Sequence, residues 1–101
     1  MIEVKKIDNQ DYQFIVKSNM GKTLLESTIF PDNASLETTL SGLKDVDTSS
    51  KHFERKTNFD GKFLFTLKNE QGSIIGNSGL YSSEAGMENG IKNLKTILSQ
   101  P

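Results

Sequence analysis

The feature that most constrains this fold is an internal similarity between the two halves of the chain. When the sequence is shifted by 51 positions without a gap, residues 12–25 fall on residues 63–76. The identical pairs include aromatic, basic, glycine and serine positions: Phe14 and Phe65, Lys17 and Lys68, Gly21 and Gly72, Ser27 and Ser78. Chance does not place so many matches on one ungapped diagonal, so we interpret residues 1–50 and 51–101 as two copies of one unit.

Each copy predicts three strands followed by a helix. In residues 12–17 and 63–68, aromatic and aliphatic side chains recur at every second position, which is the period of a strand. The residues that follow end in Gly21 or Gly72, and a glycine there suits a hairpin turn that needs a left-handed residue. A short strand precedes each of these hairpins.

Near the end of each copy, apolar residues recur at helical spacing. They are Leu36, Leu40 and Leu43 in the first copy and Met87, Ile91, Leu94 and Leu98 in the second. Gly90 lies inside the second predicted helix, where glycine costs about 1 kcal/mol relative to alanine. Because Gly86 precedes it by one turn, we predict that small residues let this helix approach a neighbour closely.

One copy alone is too small to bury a complete core, whereas two copies related by a pseudo-two-fold axis can merge their strands. We therefore predict an α+β fold, with one mainly antiparallel six-stranded sheet and two helices on one face, in a single domain spanning residues 1–101. Neither half is expected to fold alone as a monomer. The predicted core comprises ten residues: Tyr12, Phe14, Val16, Leu40, Leu43, Phe63, Phe65, Leu67, Ile91 and Leu94.

The second copy also carries a pattern of spaced residues: Phe65, Leu67, Lys68, Gly72, Ile74, Ile75, Ser78, Tyr81, Ser83, Ala85, Glu88, Gly90 and Ile91. This pattern resembles the YegP-like family of small tandem-repeat proteins. The first copy is more divergent, with Phe30 for the tyrosine, Leu25 where the second copy has Gly76, and Thr39 for the helix glycine. The resemblance implies two strand-rich units interleaved in one sheet, and it implies no established activity.

Composition removes several classes of function. The chain has no cysteine, which excludes disulfide scaffolds, thiolate zinc sites and thiol nucleophiles. His52 is the only histidine; it precedes a predicted strand, and we interpret it as a solvent-exposed side chain. No serine-hydrolase, dinucleotide or phosphate-loop motif is present. We therefore predict no enzyme activity, no metal site and no cofactor.

Neither a signal peptide nor a membrane span is visible in the sequence. The amino-terminal residues mix charged and apolar types, and no long apolar run follows. These features predict a cytoplasmic protein that does not associate with membranes. The internal pseudo-symmetry further predicts a monomer.

The remaining functional candidate is the sheet face opposite the helices. Ile15 and Leu64 are predicted to point at water there, with Lys17 and Lys68 around them. Scattered surface apolar residues are normal, so one interpretation is that this face does nothing specific. The leading hypothesis is a docking surface for a protein partner. The alternative is single-stranded nucleic-acid binding by the same lysines, which the formal charge of −1 and the lack of aromatic residues on this face disfavour.

Overall fold

The computed structural model describes residues 1–8, 10–44 and 52–99. Its elements are β1 (Ile2–Lys6), β2 (Tyr12–Lys17), β3 (Thr23–Ser27), α1 (Asn33–Gly42), β4 (Phe53–Thr57), β5 (Phe63–Lys68), β6 (Ile74–Asn77) and α2 (Glu84–Leu98). The strands form one open sheet in the order β1-β2-β3-β6-β5-β4, and every neighbouring pair is antiparallel. The predicted α+β architecture is confirmed.

Strand pairing in the two halves follows the same offset. Ile2 lies opposite Val16 between β1 and β2, and Phe53 lies opposite Leu67, 51 positions later, between β4 and β5. An irregularity in register interrupts both central hairpins at equivalent places, after Val16 and after Leu67. The boundary between the predicted copies, at residues 50 and 51, lies outside the described residues.

The two matched serines cap the ends of the strand pairs. Ser27 Oγ accepts a hydrogen bond from the backbone N–H of Phe14, and Ser78 Oγ accepts one from Phe65, both at 2.9 Å. Each hydroxyl also donates to the carbonyl of the next residue at 2.7 Å. The serine hydroxyls thus accept the backbone N–H groups of Phe14 and Phe65 in place of a backbone carbonyl.

A short seam joins the halves at the centre of the sheet. Glu26 lies opposite Asn77, and Ser27 lies opposite Gly76. A Cβ atom on Gly76 would lie 2.7 Å from the carbonyl oxygen of Glu26, closer than side chains approach backbone in folded proteins. Gly76 therefore allows β3 and β6 to come together at this point.

The hairpin turns and helix starts have clear local causes. Gly21 and Gly72 have φ values of 84° and 83°, as the predicted left-handed turn position requires. Helix α1 begins after Asp32, whose side chain accepts a hydrogen bond from a backbone N–H of the first turn. Ser83 caps α2 in the same way. Within the described residues, neither helix has the length and apolar composition of a membrane span.

The core lies between the sheet and the helices. Seven of the ten predicted core residues are buried: Phe14, Val16, Leu43, Phe65, Leu67, Ile91 and Leu94. Tyr12, Phe63 and Leu40 are only half-buried, although they pack against the core. Tyr12 and Phe63 are the first residues of β2 and β5, and Leu40 lies in the last turn of α1. At these ends of elements, fewer neighbours are available to cover a side chain.

Candidate functional site

Ile15, an apolar residue at the centre of the predicted docking face, is buried. Only 6% of it is accessible, and its partners on the two neighbouring strands are Glu3 and Glu26. Glu3 forms an ion pair with Lys17 at 3.3 Å, and Glu26 accepts a hydrogen bond from Gln13 at 3.4 Å. We attribute the burial to these long side chains, whose aliphatic stems cover apolar surface. The prediction that Ile15 points at water is wrong.

The second predicted anchor, Leu64, is half-buried. Near it on the same face, Glu54 lies between Lys56 and Lys68, at 3.2 Å and 3.4 Å. Hydrogen bonds from these two lysines hold the pKa of Glu54 below its usual range. The structure thus brings Lys17 and Lys68 together with glutamates, and Ile15 offers little apolar surface to a partner.

A concavity lies on the helix side of the sheet. It is a cleft of about 660 Å³ between α2 and the turn that joins β2 to β3, and we call it the α2 cleft. The residues that line it are Met1, Ser18, Asn19, Met20, Lys22, Leu24, Tyr81, Gly86, Asn89, Gly90, Asn93, Thr96 and Ile97. Lys22 carries the only charged side chain among them.

The topology explains why this cleft joins the two halves of the chain. The β3–β6 seam places the hairpin of the first half next to the strands of the second half. Helix α2 belongs to the second half, yet it packs on β3 as well as on β5. The cleft therefore has one wall from each half, and neither half contains it alone.

A second cleft of about 290 Å³, the α1 cleft, lies between α1 and the β5–β6 turn. Eight of its ten lining residues are 51 positions from a residue of the α2 cleft: His52 and Met1, Asn69 and Ser18, Glu70 and Asn19, Gln71 and Met20, Ile75 and Leu24, Thr38 and Asn89, Thr39 and Gly90, Gly42 and Asn93. The clefts are equivalent in position and different in chemistry.

The α1 cleft holds the single histidine. His52 is half-buried, and its Nδ1 lies 3.3 Å from the carbonyl oxygen of Lys68. The expectation of a solvent-exposed side chain is therefore wrong. His52 rests against the strand end that it precedes, because β4 and β5 pair up to this point.

Tyr81 forms a wall of the α2 cleft. Its ring stacks on Phe65 with centroids 6.4 Å apart, and Lys22 Nζ lies over the ring at 4.1 Å from its centre. Only 5% of the residue is accessible, and this burial raises the pKa of the Tyr81 hydroxyl. Among the side-chain polar atoms in the described part of the chain, this hydroxyl is the one that is buried without a hydrogen-bond partner.

Gly90 makes room for that tyrosine. A Cβ atom at position 90 would lie 2.7 Å from Tyr81 Cζ and closer still to the hydroxyl oxygen. The predicted close approach at this glycine is confirmed, and the neighbour is an aromatic ring. The spacing of Gly86 and Gly90 does not reveal the cleft, because the hairpin that faces them lies about 70 residues earlier in the chain.

Comparison with known proteins places these features in a family. Residues 59–99 match the model of a domain of unknown function, DUF1508. The UPF0339 protein YegP of Shigella flexneri is 31% identical across 92% of this chain and 84% of its own length. The chain belongs to the UPF0339 family. The resemblance to YegP-like proteins, inferred from the second copy, is confirmed, and the DUF1508 segment contains both Tyr81 and α2.

Two solved UPF0339 structures share the fold. The solution NMR structure of YegP from Escherichia coli, described as a protein of unknown function, superimposes with a TM-score of 0.84 at 31% identity. That match covers 98% of this chain and 85% of the other. A UPF0339 protein from Shewanella oneidensis gives a TM-score of 0.88 at 24% identity, over 98% and 84% of the two chains. The second likeness supports the fold alone.

Proposed function

We propose that this UPF0339 protein is a non-catalytic module that binds a partner protein, and that the α2 cleft is its binding surface. The unpartnered Tyr81 hydroxyl in the cleft wall carries this proposal. A buried hydroxyl without a hydrogen bond destabilises a fold by about 1–3 kcal/mol. A ligand that hydrogen-bonds to it offsets that cost, so the cleft favours an occupant with a polar group at this point.

The other lining groups suit a polypeptide occupant. Asn89 and Asn93 are exposed and lie one turn apart on α2, so their amides face the same side of the helix. A side-chain amide donates and accepts, as the peptide group of a partner does. Met20 at the rim is 95% exposed, and methionine adapts to varied apolar side chains.

The open sheet face is less suited to the same task. Its central residue, Ile15, is already covered, and Lys17, Lys56 and Lys68 are already paired with glutamates. A nucleic-acid ligand would have to replace those glutamates with phosphates. It would also need exposed aromatic faces for base stacking. In the α2 cleft the ring of Tyr81 is covered by Phe65 and Lys22, and the highly exposed Phe59 lies in the turn between β4 and β5.

The non-catalytic part of the proposal rests on the residues themselves. Within the described ranges, no three histidine, aspartate or glutamate side chains converge as a group that could hold a metal ion. The cleft has one charged side chain, so it lacks the acid–base pair that most hydrolytic chemistry requires.

The test is affinity capture from cell extract with variants of matched design. Asn89→Glu combined with Asn93→Glu adds bulk and negative charge at exposed helix positions of the α2 cleft. Thr38→Glu, 51 positions before Asn89, makes the corresponding single change in the α1 cleft. Leu64→Gln alters the open face. NMR spectra of all variants verify that the fold is retained.

We expect the asparagine variant to lose its partners and the other two variants to keep them. Loss of partners in Leu64→Gln alone would transfer the function to the open face. Partners that disappear after nuclease treatment, with affinity that falls steeply as salt rises, would instead establish nucleic-acid binding. Retention of every partner by the asparagine variant would overturn the proposal.

A further inference from the structure

We propose that the α2 cleft recognises a carboxylate on its peptide ligand, with Lys22 as the charge partner and the Tyr81 hydroxyl as a hydrogen-bond donor. This inference rests on the proposed function and deepens it, because it names the ligand chemistry. A carboxylate can come from an acidic side chain or from the carboxyl terminus of a chain. Both sources present the same group to the cleft.

The charge distribution is the first step. Lys22 makes no ion pair with any described residue, whereas Lys17, Lys56 and Lys68 each pair with a glutamate. Its Nζ lies over the Tyr81 ring instead, at 4.1 Å from the centroid. Among the described residues, no aspartate or glutamate lines this cleft, so an arriving carboxylate meets a cation and no competing acid from that part of the chain.

The hydrogen-bond donors are the second step. The Tyr81 hydroxyl is buried and unpartnered, and a hydroxyl forms its strongest hydrogen bonds with ionised acceptors. It lies on the same aromatic ring that holds the Lys22 ammonium group, which brings donor and charge close together. The amides of Asn89 and Asn93 supply further donors along the helix.

The same groups argue for a carboxylate rather than a phosphate or a stacked ring. Lys22 is the one charged side chain in the lining, and the Met1 ammonium group there already donates a hydrogen bond to the carbonyl of Lys17. The cleft contains no arginine that could bind a phosphate in bidentate fashion. A sugar or base would stack on an open aromatic face, yet Tyr81 is covered by Phe65 and Lys22. A peptide carboxylate, with its single negative charge, is the ligand group that fits these side chains.

The α1 cleft is an internal control for this inference. At the positions equivalent to Asn19 and Tyr81 the chain has Glu70 and Phe30. Glu70 lines the α1 cleft and would repel a carboxylate, and Phe30 has no hydroxyl to donate. The two clefts share a location in the fold, so a difference in ligand preference must come from these side chains.

The experiment is an NMR titration of the full-length, ¹⁵N-labelled protein with four short peptides. Acetyl-Ala-Glu-Ala-amide presents a side-chain carboxylate, and acetyl-Ala-Ala-Ala with a free carboxyl terminus presents the terminal one. Acetyl-Ala-Gln-Ala-amide and acetyl-Ala-Ala-Ala-amide are the matched neutral controls. We expect saturable shifts at Lys22, Gly90 and Asn93 with at least one acidic peptide, and affinity about tenfold lower for its neutral control.

Variants then test the two named groups. Lys22→Met should lower the affinity about tenfold, and Lys22→Arg should restore most of it. Tyr81→Phe should weaken binding while the fold is retained, because Phe30 already occupies the position 51 residues earlier. The difference between the two acidic peptides identifies the source of the carboxylate.

The outcomes that overturn the inference are distinct from those that overturn the proposed function. Equal binding of neutral and acidic peptides, shifts confined to the α1 cleft, or no saturable shift with any peptide would each refute carboxylate recognition. If partner capture is still lost in the asparagine variant, the α2 cleft remains the binding surface with a ligand of other chemistry. If that variant keeps both partner capture and peptide binding, the proposed function and the carboxylate inference are both refuted.

Discussion

The hydroxyl of Tyr81 lies against the backbone of Gly90, in space that any larger residue at position 90 would fill. A Cβ atom there would come within 2.7 Å of Tyr81 Cζ. The positions 51 residues earlier hold Phe30 and Thr39, so the half without the hydroxyl has a larger helix residue. The second half therefore combines the tyrosine hydroxyl with a glycine that leaves room for it. The first half combines a phenylalanine with a larger helix residue.

The substitution Gly90→Ala should lower the free energy of unfolding by about 1–3 kcal/mol, because overpacking outweighs the gain in helix propensity of about 1 kcal/mol. In a Tyr81→Phe background the loss should be about 1 kcal/mol smaller, since the nearest obstructing atom is gone. Urea denaturation of the four proteins in this cycle gives the coupling energy. Equal losses in both backgrounds would show that the hydroxyl is not the obstacle.

The burial of Ile15 leads to a second prediction. Ile15→Ala should cost about 2–4 kcal/mol of unfolding free energy, as expected for a core aliphatic residue. Leu64→Ala, at the half-buried position on the same face, should cost less. Both values come from urea denaturation. A loss below about 0.5 kcal/mol for Ile15→Ala would mean that this side chain is exposed in solution after all.

The seam between β3 and β6 depends on Gly76. Gly76→Ala should destabilise the fold by about 2–3 kcal/mol, because the added methyl group would meet the backbone of Glu26 and Ser27. Gly79→Ala is the matched control, since nothing lies within 4 Å of a Cβ atom there. Thermal and urea unfolding should show little change, or a gain of up to about 1 kcal/mol, for the control. Similar effects from both substitutions would contradict the close approach of the strands.

The ion pair between Arg55 and Glu88 predicts a dependence of stability on pH. Hydrogen bonds from the Arg55 guanidinium hold the pKa of Glu88 below its usual range. A lowered pKa in the folded state stabilises the protein above the unfolded pKa of about 4.3, and this stabilisation is lost as the pH falls through the folded value.

Glu88→Gln should therefore be less stable than the wild type at neutral pH, and the difference should vanish in acid. Urea unfolding at a series of pH values from about 7 to about 3 measures it. Glu37→Gln is the control, because Glu37 lies 51 positions before Glu88. The position 51 residues before Arg55 holds Val4, which cannot form an ion pair. A pH-independent difference for Glu88→Gln would show that the carboxylate charge is not responsible.

The final prediction concerns the halves. A fragment of residues 1–50 should be unfolded or dimeric, because it exposes the β3 edge that pairs with β6 and lacks the α2 side chains of the core. Size-exclusion chromatography and NMR of the fragment are the measurements. A monomer with well-dispersed resonances would show that one half folds alone.

Much of this architecture was accessible from local patterns. The alternation in residues 12–17 and 63–68 predicts two strands because side-chain direction has a period of two, and Gly21 and Gly72 predict the turns because of their φ values. The 51-residue offset indicates that both halves contain the same three strands and one helix. Two such halves joined edge to edge give a six-stranded sheet. The half-buried state of Tyr12 was missed because the pattern does not show where covering elements end.

The sequence by itself determined the strands, the turns, the helices and the face on which the aromatic residues lie, since each depends on neighbours within a few residues. Only the tertiary structure decided that Ile15 is buried, because strand pairing places Glu3 on β1 and Glu26 on β3 opposite it. The same holds for the α2 cleft: Lys22 and Tyr81 are 59 positions apart and meet through the β3–β6 seam. Periodicity reports the direction of a side chain, whereas burial and ligand geometry depend on what another part of the chain places opposite it.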